Sequence, residues 1–192
     1  MFKPFKGLDY DEIQAVRKVY PILKRVQDAT DVPWQAIAGI WFRESFSVAN
    51  PKRPGGPFQF DPVPSPGALR GLLDRFTKLS DAEKHDLVLN GAHDFYSGAI
   101  FAACFLRLKT GPTIHPGVDD EVIKDAIYGY NGKAYHMAEN SPYVFNGYDS
   151  AHYPMRLTGT MPDGKGGREK VSFLDEKPGA FVVYKQLKVL FA

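Results

Sequence analysis

One cysteine in 192 residues leaves the chain without any possible internal disulfide. That residue, Cys104, sits in the apolar run from Ala99 to Leu106, where a small buried hydrophobe is expected rather than a nucleophile. Long hydrophobic runs are also missing. No stretch of about 18 apolar residues occurs, which argues against a membrane-spanning helix. The opening Met-Phe-Lys-Pro-Phe-Lys carries charge and proline but leads into no apolar segment, so no signal peptide is expected. Nor is one sign of charge in excess: 24 basic residues against 22 acidic ones give a formal charge of +2. That balance argues against a nucleic-acid partner, although mild basicity suits an anionic surface such as a cell wall. His85, His93, His115, His136 and His152 fall into no His-Glu-x-x-His or similar ligand spacing, so neither a metal nor another cofactor is expected. Ser45 lacks the Gly-x-Ser-x-Gly setting of a nucleophilic elbow.

What remains is an ordinary globular composition, 44% hydrophobic, long enough for one domain with a sizeable core. Neither linker nor repeat is visible. The spacing of Ile13, Val16, Tyr20, Leu23 and Val26 predicts a helix over residues 9–30, broken or kinked at Pro21 because proline removes an amide and clashes with the preceding turn. Further helices are expected over 68–80, from the capping-box start Ser80-Asp-Ala-Glu83, over 93–109 as a central apolar helix, and over 119–130. Met155–Met161 and Arg168–Leu174 read as strands around a Gly-rich turn, and Phe181, Tyr184, Leu187 and Val189 or Leu190 as a closing helix. The expected class is α+β, mostly α-helical. A helical core spans about 9–148, and a small C-terminal β-hairpin with its closing helix, about 149–192, is appended to it.

The stretch from 33 to 61 is the one that suggests chemistry. Asp31 is a candidate N-cap and Pro33 suits a first helical turn. Ile37, Ile40, Trp41 and Glu44 then follow on one face, so an apolar stripe carries a carboxylate at its end. Desolvation there favours the neutral acid, and a carboxyl group that stays protonated near about pH 6 can protonate a leaving oxygen. The spacing equally allows Glu44 to turn towards water or to pair with Arg43 or Lys52. A Pro- and Gly-rich loop follows, containing Gly56-Pro-Phe58-Gln59-Phe60-Asp61.

Four short motifs occur in order: Glu44-Ser45, Gly56-Pro57-Phe58-Gln59-Phe60-Asp61, Tyr130-Asn131-Gly132, and Glu139-Asn-Ser-Pro-Tyr143-Val144. In order and rough spacing they resemble the soluble lytic transglycosylase and goose-type lysozyme superfamily. The wording Gly-Pro-Phe-Gln departs from the commoner Gly-Leu-Met-Gln and is similar to phage cell-wall enzymes. The resemblance implies a lysozyme-like fold and a peptidoglycan glycan-strand substrate, cut between N-acetylmuramic acid and N-acetylglucosamine.

It further implies that Glu44 is the catalytic acid. In a lytic transglycosylase Glu44 alone suffices, acting again as the base that closes a 1,6-anhydro ring. In an inverting lysozyme Asp61 would be the second carboxylate, the base for water; its plainer role is a turn or cap beside Pro62. Ser45, Gly56, Phe58, Gln59, Phe60, Tyr130, Asn131, Glu139 and Tyr143 are the implied substrate-contacting or acid-supporting residues. Tyr130-Asn131-Gly132 also reads as a simple helix C-terminus with a left-handed cap. Without a signal peptide, a phage-encoded enzyme would act from the host cytoplasm after lysis or be carried in a virion, with phage tail or virion proteins as possible partners. A wall-binding or structural virion protein on the same scaffold is the non-enzymatic alternative.

Overall fold

The computed structural model describes residues 7–46, 56–60, 64–110, 113–131, 137–149, 152–162 and 167–192. Helix α1 (Tyr10–Thr30) opens with a full capping box between Asp9 and Glu12. It runs through Pro21 as one helix, where the sequence allowed a kink or two helices meeting. Pro21 and Arg17, whose carbonyl loses its partner, both face solvent, so the carbonyl is not left in an apolar interior. Asp31 also departs from expectation. It ends α1 in the left-handed conformation, its N–H bonded to the Gln27 carbonyl, and its carboxylate pairs with Lys78 at 2.6 Å. Helix α2 (Trp34–Glu44) starts instead after Pro33, and the Trp34 N–H is accepted by the Gln27 side chain at 3.1 Å.

Every residue of α2 from Ala36 to Arg43 is buried, the signature of a helix running through the centre of a domain. Its close neighbour is the C-terminal helix α8 (Ala180–Leu190). A Cβ on Gly39 would press into the Ala180 carbonyl, so the two backbones touch at a position only glycine allows. Around this pair stand α3 (Pro66–Phe76), capped by Ser65, and α4 (Asp81–Asn90), with the expected Ser80–Glu83 capping box. The apolar α5 (Phe95–Thr110) shares the centre with α2 and packs on α1, α3 and α6 (Asp120–Tyr130). Cys104 is fully buried within α5, and that burial pushes its thiol up to about 12, which makes it inert.

A short turn at Ala138–Asn140 and the one-turn helix α7 (Pro142–Phe145) lead to a two-stranded antiparallel hairpin, β1 (Met155–Pro162) with β2 (Arg168–Asp175). Met155 pairs with Asp175 and Leu157 with Phe173. The architecture is therefore α+β and mostly helical. In α8 Phe181, Tyr184 and Leu187 face inward, but Val189 and Leu190 are exposed as the helix leaves the core. Among the described residues no helix is long and apolar enough to cross a membrane.

One surface cluster ties α6 to α8. Asp120 accepts from Tyr184 and Lys188, both at 2.7 Å, and from Lys185. Burial pulls its carboxyl upward, but the hydrogen bonds from Lys185, Lys188 and Tyr184 outweigh this and hold it well below the usual aspartate range. A depressed native value stabilises the fold above the unfolded value, near pH 4, and that contribution disappears as pH falls through the native one. Asp120→Asn is therefore expected to lower the melting temperature at neutral pH and to flatten its decline below about pH 4. Thermal scans of both proteins across that window test it; parallel curves would count against the linkage.

Candidate active site

The site is built where α2 ends. The N–H groups of Ser45 and Phe46 both return to the Trp41 carbonyl, at 3.0 and 2.9 Å, so the helix stops abruptly after Glu44. Helix ends leave carbonyls without intrahelical partners, and here the Glu44 carbonyl accepts from the Gln59 side-chain amide and from Lys177 Nζ at 3.3 Å. Ser45 Oγ donates to the Pro57 carbonyl at 2.6 Å. Two residues of the Glu-Ser motif thus receive and fasten the Gly-Pro-Phe-Gln loop.

Within that loop the roles differ from a set of substrate contacts. Gly56 has φ +64° and lies so close to Ala92 that a Cβ would overlap its carbonyl oxygen. Phe58 is 1% exposed and packs against Phe95 and the bare backbone of Gly98. Phe60 is half-buried against Phe105, with ring centroids 5.5 Å apart. Gly56 and Phe58 are therefore anchors rather than sugar-facing groups, because burying an aromatic ring contributes more than exposing it as a platform. The loop's useful product is Gln59, held at φ +53° with its N–H on the Gly56 carbonyl at 3.1 Å. A left-handed glutamine costs conformational energy, and the anchors on either side hold it there.

Glu44 itself is half-buried, at the mouth of the stripe formed by the fully buried Ile37, Ile40 and Trp41. Tyr143 of α7 donates its hydroxyl to Glu44 Oε1 at 2.7 Å. Burial first, and the Glu44 charge second, push the Tyr143 phenol well above its ordinary value, so it remains a proton donor at any physiological pH. Tyr130, the last residue of α6, stacks behind Tyr143 with centroids 6.3 Å apart and planes at 21°. Its phenol is pushed up by the same two causes in the same order. Asn131 follows as the C-cap of α6 with φ −78°, not left-handed.

Arg43, Glu44, Gln59, Asn131 and Tyr143 line a cleft of about 350 Å³ whose other wall is Leu157, Phe173, Asp175 and Lys177. Arg43 forms a buried ion pair with Asp175, the two side chains 8% and 7% exposed. The hairpin is thus no appendage: its base completes the site. A larger apolar hollow of about 460 Å³ between Gly7, Leu8 and the end of α8 contains no carboxylate.

Of the expected site residues, Ser45, Gly56, Phe58, Phe60, Tyr130 and Glu139 stand apart from the cleft lining. Tyr130 meets the lining through its stacking on Tyr143. Glu139 lies on the turn before α7 with its carboxylate on Lys124 at 3.2 Å, where backbone and Lys124 hydrogen bonds hold it below the usual range. Asp61, the proposed hydrolytic base, and Lys52 and Gly132 lie outside the described residues. Among the described residues no group of three His, Cys, Asp or Glu side chains gathers as a metal site.

Sequence reasoning missed Leu157, Phe173, Asp175 and Lys177, and it weighed Arg43 only as a partner for Glu44. One signal was available. A lone arginine within the buried stretch of α2 demands a buried acid from elsewhere in the chain. Compared with family models, curated proteins and solved structures, the chain has no match.

Proposed function

We propose that this chain cleaves the glycan strands of peptidoglycan at the bond from N-acetylmuramic acid to N-acetylglucosamine, as a lytic transglycosylase with Glu44 as its acid and base. The observation that carries this reading is the Glu44 carboxyl group, brought to the mouth of a cleft by a buried helix and gripped by the Tyr143 phenol at 2.7 Å. Such a group is positioned before substrate arrives, which is the condition for efficient proton transfer.

Glu44 gives its proton to the glycosidic oxygen as the bond to the muramyl C1 breaks. The resulting carboxylate takes the proton of the muramyl 6-hydroxyl, whose oxygen closes on C1 to form the 1,6-anhydro ring. No water enters, and Glu44 ends protonated for the next turn. Tyr143 holds Oε1 throughout, and Gln59 and Lys177 fix the backbone from which Glu44 extends. Of the two carboxylates that line the described cleft, Asp175 is committed to Arg43. Asp175 therefore does not supply the second carboxylate that inversion needs at ~6.5–9.5 Å, and Asp61, the base expected for that route, lies outside the described residues.

Incubation with dye-labelled purified peptidoglycan tests the proposal: soluble dye-bearing fragments are expected with time and with enzyme concentration. A wall that stays sedimentable despite bound protein would favour a non-catalytic role.

A further inference from the structure

The hairpin base is constructed around one residue. Asp175 and Phe173 share a face of β2, two residues apart, and Leu157 stands directly across from Phe173 on the same face. Asp175 points inward to Arg43, and this sets the orientation of the whole face towards the cleft. Phe173 remains 49% exposed there, a large aromatic surface at the cleft wall.

Beyond the strand, the backbone of Lys177 is clamped on both sides. Its N–H donates to Asp175 Oδ1 at 3.1 Å, and its carbonyl accepts from Arg43 Nη1 at 2.9 Å and from Asn146 Nδ2 at 2.7 Å. Asn146 is fully buried, and its Oδ1 also takes the Met155 N–H at 2.9 Å, so one amide pins both strands of the hairpin. These bonds fix the Lys177 backbone at the cleft, and its exposed side chain donates from Nζ to the Glu44 carbonyl at 3.3 Å. A fixed backbone under an exposed cation is what recognition of an anionic substituent needs, because less freedom is lost on binding.

We propose that the hairpin base reads the acidic sugar of the glycan: Phe173 and Leu157 receive the apolar face of a pyranose ring, and Lys177 receives the carboxylate carried by that ring. The inference rests on the peptidoglycan reading: on strands whose stem peptide has been removed, the muramyl lactyl ether carries that free carboxylate. It makes the site selective for carboxylate-bearing strands over neutral N-acetylglucosamine oligomers of the same length.

The test uses the full chain carrying Glu44→Gln, so that ligands survive, and two probes: soluble peptide-free strands of alternating N-acetylglucosamine and N-acetylmuramic acid, and chitotetraose. Titration calorimetry should give tighter binding of the acidic strand by roughly tenfold, the scale of a charge-assisted hydrogen bond. Adding Lys177→Met should bring the ratio of the two affinities close to one, and Lys177→Arg should restore most of it. Phe173→Ala should weaken both probes alike. A protein that binds both probes equally, or whose preference survives Lys177→Met, overturns this inference and leaves the cleavage reading standing. A protein that binds neither probe and releases no fragments from labelled wall overturns both.

Discussion

Glu44→Gln is expected to abolish release of fragments from peptidoglycan while leaving the fold intact. General acid–base catalysis contributes about 10²–10⁴-fold per group, and in the proposed mechanism Glu44 acts in both half-reactions, so the loss should lie at the upper end of that range. The substitution is a mild one structurally. A glutamine Oε1 can still accept from Tyr143, and the helix terminus is fastened through the Glu44 backbone carbonyl, which the change does not touch. An unaltered melting temperature with near-zero dye release is the expected pair of results. Substantial residual release would assign the chemistry to another group.

The second large effect concerns stability. Asp175→Ala strands the Arg43 guanidinium in a buried site and releases the Lys177 N–H. Breaking a buried ion pair from one side costs about 3–5 kcal/mol, a fall in melting temperature on the order of 10 °C for a chain of this size. Removing the charge from both partners should cost much less. Arg43→Met combined with Asp175→Asn keeps an acceptor for the Lys177 N–H and leaves no orphan charge, so it should be more stable than Asp175→Ala. Urea denaturation of the two variants checks the order; the reverse order would mean that the pair contributes through packing rather than charge.

These two predictions draw on different kinds of information. The place of Glu44 at the end of a buried helix was legible because local rules give it: an apolar stripe of period 3.6 ends at Glu44, and a Pro- and Gly-rich loop follows. The same rules located the Ser80–Glu83 capping box, the strands of the hairpin and the C-terminal helix. They failed where solvation or a distant contact decides. Pro21 is tolerated because its side of α1 is solvated, and Asp31 terminates α1 because Lys78 and the Gln27 carbonyl hold it there.

The ring of Phe58 faces inward because Gly98 leaves a gap for it. The motif reading could not separate Gly56 and Phe58, which seat the loop, from Gln59, which the loop presents. The Arg43–Asp175 pair joins residues 132 apart in sequence, beyond any local pattern. Its consequence, a cleft wall made by the C-terminal hairpin, was therefore hidden when that hairpin read as an addition to a finished helical core.

The most direct test of the account is mass spectrometry of the soluble products from purified peptidoglycan, with the wild-type chain and Glu44→Gln run side by side. The account predicts muramyl ends lighter by one water than reducing ends, formed by the wild type and absent with the variant. Reducing muramic ends would contradict transglycosylation and assign the protein to hydrolysis with a second carboxylate. Products that persist undiminished with Glu44→Gln would contradict the central claim itself, that Glu44 carries the chemistry.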